Sequence, residues 1–325
     1  MSVVLAVIGS GQLGSRHLQA LKLLDRPSSV FVLDPNPQAL RAASELFAQQ
    51  SGESLVQSIQ FVSDTAELPD AIDVAVVATG ANARRKVLQH LLAHSRVRYL
   101  ILEKFLFQEH ADYVAVAARM REAATKSWVN CPRRMWPIYR KLKEVVPGGP
   151  LDYRVTGSAW GLGCNAIHFL DHAAFLSGSG EFTLQSSELD PEVVASRRDG
   201  YCEFSGRIRG ESKDGTRVEI ACDRAGTMPV VVTAWNQDMQ LLVNETACTA
   251  VVAQRENGWQ WESLTFAVPF QSQLTHVAVQ QLLDRGNCEL TPYELSASLH
   301  VSLLDVFLEH YRKHVDSHAT CCPIT

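Results

Sequence analysis

The chain has 325 residues, 46% of them hydrophobic and 20% charged, with a net charge of −5. Such values belong to an ordinary globular protein long enough for two domains. No Lys/Arg block and no apolar run of about 20 residues stands out, so neither nucleic acid nor a membrane is an expected partner.

The chain enters a strand without a basic region or cleavage site, which is not the pattern of a signal peptide. Eight cysteines are scattered without metal-site spacing, which predicts reduced thiols in a cytoplasmic protein. Adjacent Cys321 and Cys322 are expected in a loose tail.

Residues 3–8 form an apolar strand by composition. Gly9, Gly11 and Gly14 follow in G-x-G-x-x-G spacing and lead into a helix. A second apolar run, 30–33, ends at Asp34. Gly9 permits a tight turn, Gly11 lets backbone approach a pyrophosphate, and Gly14 lets the helix pack close to the strand. The helix start at Gln12 and Leu13 offers unpaired N–H groups and a positive dipole end to phosphates. Asp34 is placed to accept hydrogen bonds from ribose hydroxyls and to repel a 2′-phosphate, which favours NAD over NADP. Asp before Pro35 is also a common turn residue.

Helices are expected over 37–50, 82–94 and 109–125, and strands over 59–62, 73–79, 99–103 and 128–130. This alternation predicts a parallel sheet covered by helices on both faces. Near residue 130 the pattern changes. A helix over 137–146 is stopped by Pro147-Gly148-Gly149-Pro150. A strand over 151–160 and a helix over 165–176 follow. Residues 181–269 read as consecutive strands, with turns at Asp199-Gly200, Asp214-Gly215 and Asn257-Gly258. One long helix covers 293–314. The second half is therefore α+β with a largely antiparallel sheet.

Two constellations carry chemistry. Glu103-Lys104 ends a predicted strand at the sheet edge that faces the ligand crevice in parallel α/β folds. Lys104 there suits a nicotinamide ribose or a substrate hydroxyl, although a surface lysine after a strand looks the same. In the segment Gly161–His172, Asn165, His168 and Asp171 share one helix face. A carboxylate beside an imidazole fixes its tautomer and holds its pKa near neutrality; a buried structural histidine shows the same pattern. His172 stands four residues from His168, a metal-pair spacing, but no third ligand is evident and no metal is expected.

Together these residues resemble the glucose–fructose oxidoreductase, inositol dehydrogenase and MocA (Gfo/Idh/MocA) family. The resemblance rests on 6–17, on Glu103-Lys104, on 129–139 and on 165–171. It implies an α/β N-terminal Rossmann domain with a doubly wound parallel sheet over 1–130. It also implies a C-terminal α+β domain over 131–325 with a large, mostly antiparallel open sheet that binds substrate and forms a homodimer or homotetramer. It places Gly9, Gly11, Gln12, Leu13, Gly14, Asp34, Thr79, Gly80, Glu103 and Lys104 at an NAD cofactor, with NADP the less favoured. Lys104, His168 and Asp171 become the catalytic set, and Arg133, Arg134, Asn165 and His168 the substrate contacts. Arg133 and Arg134 would take an anionic group such as the phosphates of a nucleotide sugar, unless they are a solvated surface.

The implied activity is an NAD(P)-dependent dehydrogenase moving hydride between nicotinamide and a hydroxyl carbon of a sugar, cyclitol or nucleotide sugar. The alternatives are a non-catalytic dinucleotide or sugar sensor of the same fold, and an enzyme using transient redox for elimination, hydrolysis or epimerisation. The chain departs from the family pattern at three places. Phe105 replaces a proline often preceded by a cis bond, so the Lys104 backbone is expected to differ. Cys164 replaces the first aspartate of the helix motif, and the loop 78–84 lacks the usual Thr-Pro.

Overall fold

A computed structural model describes residues 2–50, 53–146 and 148–325. The chain divides into two compact units. The first comprises Met1–Pro132 and Pro269–Tyr293, the second Arg133–Val268 and Glu294–Thr325. The chain thus leaves the first unit two residues beyond the expected 130/131 boundary. Residues 269–293, assigned in sequence to the second domain, group with the first.

In chain order the first unit holds β1 (Val3–Ile8), α1 (Gln12–Leu21), β2 (Ser28–Leu33), α2 (Pro37–Gln49), β3 (Val56–Val62), β4 (Ala71–Val77), α3 (Ala81–His94), β5 (Arg96–Leu102), α4 (His110–Glu122) and β6 (Lys126–Val129). The second holds α5 (Pro137–Val145), β7 (Asp152–Thr156), α6 (Leu162–Ser177), β8 (Phe182–Leu189), β9 (Val194–Ala195), β10 (Cys202–Glu203), β11 (Gly206–Ser212), β12 (Arg217–Cys222), β13 (Val231–Trp235), β14 (Met239–Asn244), β15 (Thr249–Gln254) and β16 (Glu262–Thr265). Then come α7 (Thr275–Arg285), β17 (Thr291–Pro292) and α8 (Tyr293–His314).

Among the described residues the first unit's sheet has the order β17-β6-β5-β4-β1-β2-β3. Its pairs are parallel except β17 with β6. The chain starts in the middle at β1, runs outward through β2 and β3, then crosses to β4 on the other side. The switch between β1 and β4 leaves a crevice beyond their C-terminal ends. Buried runs explain the central strands: residues 5–8 of β1 and 74–77 of β4 are all at most 2% exposed.

The second unit's larger sheet runs β16-β15-β14-β13-β7-β12-β11-β8. Every pair is antiparallel except β7 with β12. α6 packs on β12, and its two ends are left-handed glycines, Gly161 (φ 79°) and Gly178 (φ 88°). The expected strand over 151–160 is shorter, because the chain turns at Ala159 (φ 54°) before α6. The turns expected at Gly200, Gly215 and Gly258 have left-handed glycines at 80°, 90° and 69°. Of the stop after α5, Pro147 lies outside the described residues.

Cys321-Cys322 corrects an expectation. Cys322 and Ile324 are fully buried, and Cys202 N–H donates to Pro323 O at 2.7 Å. Apolar side chains and this backbone bond fix a segment whose polar composition reads as loose.

Candidate active site

The glycine turn is built by backbone contact. A Cβ on Gly14 would lie 1.8 Å from Gly9 O, so α1 can seat against β1 only with glycine there. Gly9 has φ 92°, and a Cβ on it would press the backbone of Ala78 and Thr79 at 3.1 Å. Above Gly11 nothing lies within 4 Å. No side chain caps α1, and its first turn holds no acid, so its leading N–H groups face an open approach. Gln12 is exposed and Leu13 half-buried on that first turn.

A cavity of about 470 Å³ continues from this turn, lined by Gly9, Gly11, Asp34, Ser63, Thr79 and Gly80 among others. Asp34 closes it at the end of β2. One carboxylate oxygen accepts Ser10 N–H at 2.7 Å and the other accepts Asn36 N–H at 2.9 Å. The hydroxyls of Ser10 and Thr79 are buried and have no hydrogen-bond partner. Orphaned donors beside a bare helix start are what a polar ligand would satisfy. A dinucleotide fits this set: Gly11 leaves room for its pyrophosphate, and Asp34 offers ribose an acceptor.

Glu103 and Lys104 follow β5. Glu103 is 3% exposed and belongs to a buried network. Its Oε1 meets His17 Nε2 at 2.8 Å and accepts Asn130 Nδ2–H at 2.5 Å, while His17 Nδ1 meets Thr275 Oγ1 at 2.8 Å. Burial opposes its ionisation, but His17, Asn130 and the Lys104 charge together hold the carboxyl below its usual range. Glu103 is therefore a tether between β5, α1 and β6. Lys104 beside it is half-buried.

The Lys104–Phe105 peptide bond is cis. The expected difference at the Lys104 backbone is thus corrected: the bond type associated with the family's proline is present with phenylalanine. Arg84, 1% exposed, accounts for the local order. Its guanidinium donates to the carbonyls of Phe105, Leu106 and Thr79, tying the loops after β4 and β5 together. Neither His17 nor Arg84 was assigned a role from sequence. Each is a polar residue at a core position, and a buried arginine three residues into a helix is a readable signal only once the burial is known.

In the second unit α6 is a core helix whose half-exposed positions include Cys164, Asn165 and His168. Asp171 is fully buried, and its carboxylate accepts Arg134 Nε–H at 2.7 Å and an Arg134 terminal N–H at 3.0 Å. Arg133 makes the matching pair with Glu245, at 2.8 and 2.7 Å, and stacks 4.1 Å from the Phe169 ring. Tyr139 O–H donates to the same Glu245 oxygen at 2.5 Å. Both guanidiniums are mostly buried, with side chains 13% and 11% exposed, so neither forms a solvated surface. Each already holds a protein carboxylate. His172 is fully buried, 3.0 Å from the Tyr153 hydroxyl through Nδ1. Burial, with the charges of Arg133 and Arg134, pushes its pKa well down. Burial raises the Tyr139 and Tyr153 phenols well above their usual value. Among the described residues, no group of three or more His, Cys, Asp or Glu is arranged to hold a metal ion.

Residues 3–131 match the profile of the oxidoreductase family with an NAD-binding Rossmann fold, Gfo/Idh/MocA. That match covers the N-terminal segment, 129 of the 325 residues. No curated protein matches the chain by sequence. Solved structures share the fold over nearly the whole chain. An oxidoreductase from Agrobacterium radiobacter, in complex with NAD+, L-tartaric acid and magnesium, is 16% identical with a TM-score of 0.74 over 93% of this chain and 94% of its own. UDP-N-acetylglucosamine 3-dehydrogenase GnnA from Acidithiobacillus ferrooxidans is 16% identical with a TM-score of 0.73 over 94% and 96%. A super-repressor mutant of Gal80p from Saccharomyces cerevisiae is 12% identical with a TM-score of 0.75 over 96% and 97%. Among the described residues, no helix is long and apolar enough to cross a membrane.

Proposed function

We propose that the protein is an NAD-dependent dehydrogenase acting on a hydroxyl carbon of a sugar, cyclitol or nucleotide sugar. The observation that carries this reading is the glycine turn: an uncapped helix start, the orphaned Thr79 hydroxyl and the Asp34 carboxylate around one cavity. The Asp34 carboxylate favours NAD, because a 2′-phosphate would meet a like charge.

Bound NAD would supply the hydride acceptor at its nicotinamide. Lys104, at the C-terminal end of β5, would stabilise negative charge developing on the substrate oxygen. His168 would take the hydroxyl proton in oxidation and return it in reduction. Asn165, on the same half-exposed face of α6, would bind a neighbouring hydroxyl. Asp171, clamped by Arg134, is read as a positioning residue that fixes the helix turn carrying His168. Gln12 and Leu13 would offer backbone N–H to the pyrophosphate. A homodimer or homotetramer is the proposed assembly.

The test is purified protein with NAD and a panel of sugars, cyclitols and nucleotide sugars, followed by absorbance of the reduced cofactor. Turnover is expected, and Lys104→Ala or His168→Ala should lower kcat by about 100-fold or more with NAD affinity retained. Tight NAD binding without turnover of any panel member would count against the dehydrogenase. Cys164 in place of the family aspartate favours a second reading, a regulator with the same ligands. In that case Lys104→Ala and His168→Ala would leave the regulatory output intact.

A further inference from the structure

The second unit contains its own cavity, of about 400 Å³, beside the start of α6. Cys164 and Asn165 form one wall, Glu203 and Trp160 another, and Arg197 and Arg198 a third. Three features suggest a built recess. First, Glu203 replaces what the helix lacks. Its carboxylate accepts Gly163 N–H and Cys164 N–H from β10. Negative charge is thereby supplied next to position 164, where the family motif has an aspartate and this chain a thiol. Second, two glycines make room for that carboxylate. A Cβ on Gly163 would lie 2.7 Å from Glu203 Oε1, and one on Gly161 2.8 Å from Oε2.

Third, two of the three arginines lining this cavity, Arg197 and Arg198, differ from Arg224 beside them and from most others of their unit. Arg133, Arg134, Arg154, Arg207, Arg209, Arg217, Arg224 and Arg255 each pair with a carboxylate. Among the described residues, Arg197 makes no such pair, and the Arg198 guanidinium reaches only the Thr325 hydroxyl at 3.4 Å. Arg133 and Arg134, the pair first expected to take an anion, are already satisfied by Glu245 and Asp171. Arg197 and Arg198 carry positive charge that no carboxylate pairs among the described residues.

We propose that this cavity binds a carbohydrate bearing an anionic substituent, a carboxylate or a phosphoryl group. Arg197 and Arg198 take the anion, and Glu203 accepts sugar hydroxyls in place of the helix aspartate. The inference rests on the dehydrogenase reading and names the substrate class for it. Guanidinium suits either anion through paired N–H donors, and a carboxylate suits a pair of hydroxyls.

The experiment is ligand-observed NMR titration of the intact protein with D-glucuronate, D-glucose 6-phosphate and neutral D-glucose, with an NADH titration of each sample. The expected result is at least one anionic sugar binding about tenfold or more tighter than glucose. Arg197→Ala/Arg198→Ala should erase that margin while NADH affinity stays unchanged. A tighter glucuronate assigns the carboxylate, and a tighter glucose 6-phosphate the phosphoryl group. Glu203→Gln, which keeps an acceptor oxygen for the α6 N–H groups, should weaken all sugars. Cys164→Asp added to it should restore them. The proposal is overturned if no sugar binds, if the three bind alike, or if the arginine variant binds as the parent does. NADH binding reports separately on the cofactor reading, so loss of one does not imitate loss of the other.

Discussion

The two units hold their polar groups in opposite ways. In the first, the glycine turn is shaped by backbone: Gly14 sits where no Cβ fits, and Gly9 turns left-handed against Ala78 and Thr79. In the second, the buried polar cluster is shaped by side-chain ion pairs, Arg133 with Glu245 and Arg134 with Asp171. A backbone site presents N–H groups to a ligand and leaves them unsatisfied until it arrives. A side-chain cluster satisfies itself and has little left to offer. The first is suited to binding, the second to holding α5, α6 and β13–β14 in register around His168.

The sharpest way to break this contrast is one methyl group. Gly14→Ala should abolish NADH binding, because α1 must move off β1 and carry its N–H groups with it. Fluorescence titration checks it; unaltered binding would show that the turn is not the ligand cradle.

The second unit should fail differently. Glu245→Ala leaves Arg133 buried without its partner and should cost about 3–5 kcal/mol in urea unfolding. Replacing both partners, as Arg133→Met with Glu245→Leu, should recover most of that loss. If the single variant is as stable as the parent, the pair is not the brace described.

These regions also differed in how far they could be read in advance. The three glycines and Asp34 lie within 26 residues, and their spacing is itself the geometry. The parallel sheet followed from apolar runs alternating with helical period. Glu245 lies 112 residues from Arg133, and nothing local to either residue announces the pairing. Glu203 was missed for the same reason: a carboxylate from a two-residue strand fills a gap left by Gly161 and Gly163 on α6. The helix α7 was readable in principle, since Ala278, Val279 and Leu282 are buried on one face and Gly286 stops it. Its grouping with the first unit was not, because that depends on contacts with residues near the chain start such as His17 with Thr275. The buried segment at Cys322 is hard to read because the five polar or small residues at 316–320 before it resemble a tail.

A smaller effect separates the units by pH. His172 is held neutral in the folded state, with its pKa well below 6.5. The unfolded chain therefore takes up a proton that the folded one does not as pH falls below 6.5. Folded stability is full above that pH and declines below it by up to about 1.4 kcal/mol per pH unit. His172→Gln should flatten this decline in urea melts between pH 6.5 and 5, and an unchanged slope would remove His172 as its source.

The mildest expected change is at Asp34. Asp34→Ser should weaken NADH by about tenfold through loss of charged hydrogen bonds and bring NADPH closer to it. Parallel titrations would show this as a change in the ratio of the two Kd values. A ratio that does not move would take cofactor choice away from Asp34.

Whether the first unit is a working dinucleotide site is decided by equilibrium titration of the wild-type protein with NADH. Saturable binding of one NADH per chain, displaced by NAD, is expected. Absence of saturable binding, in protein shown to be folded, would contradict it.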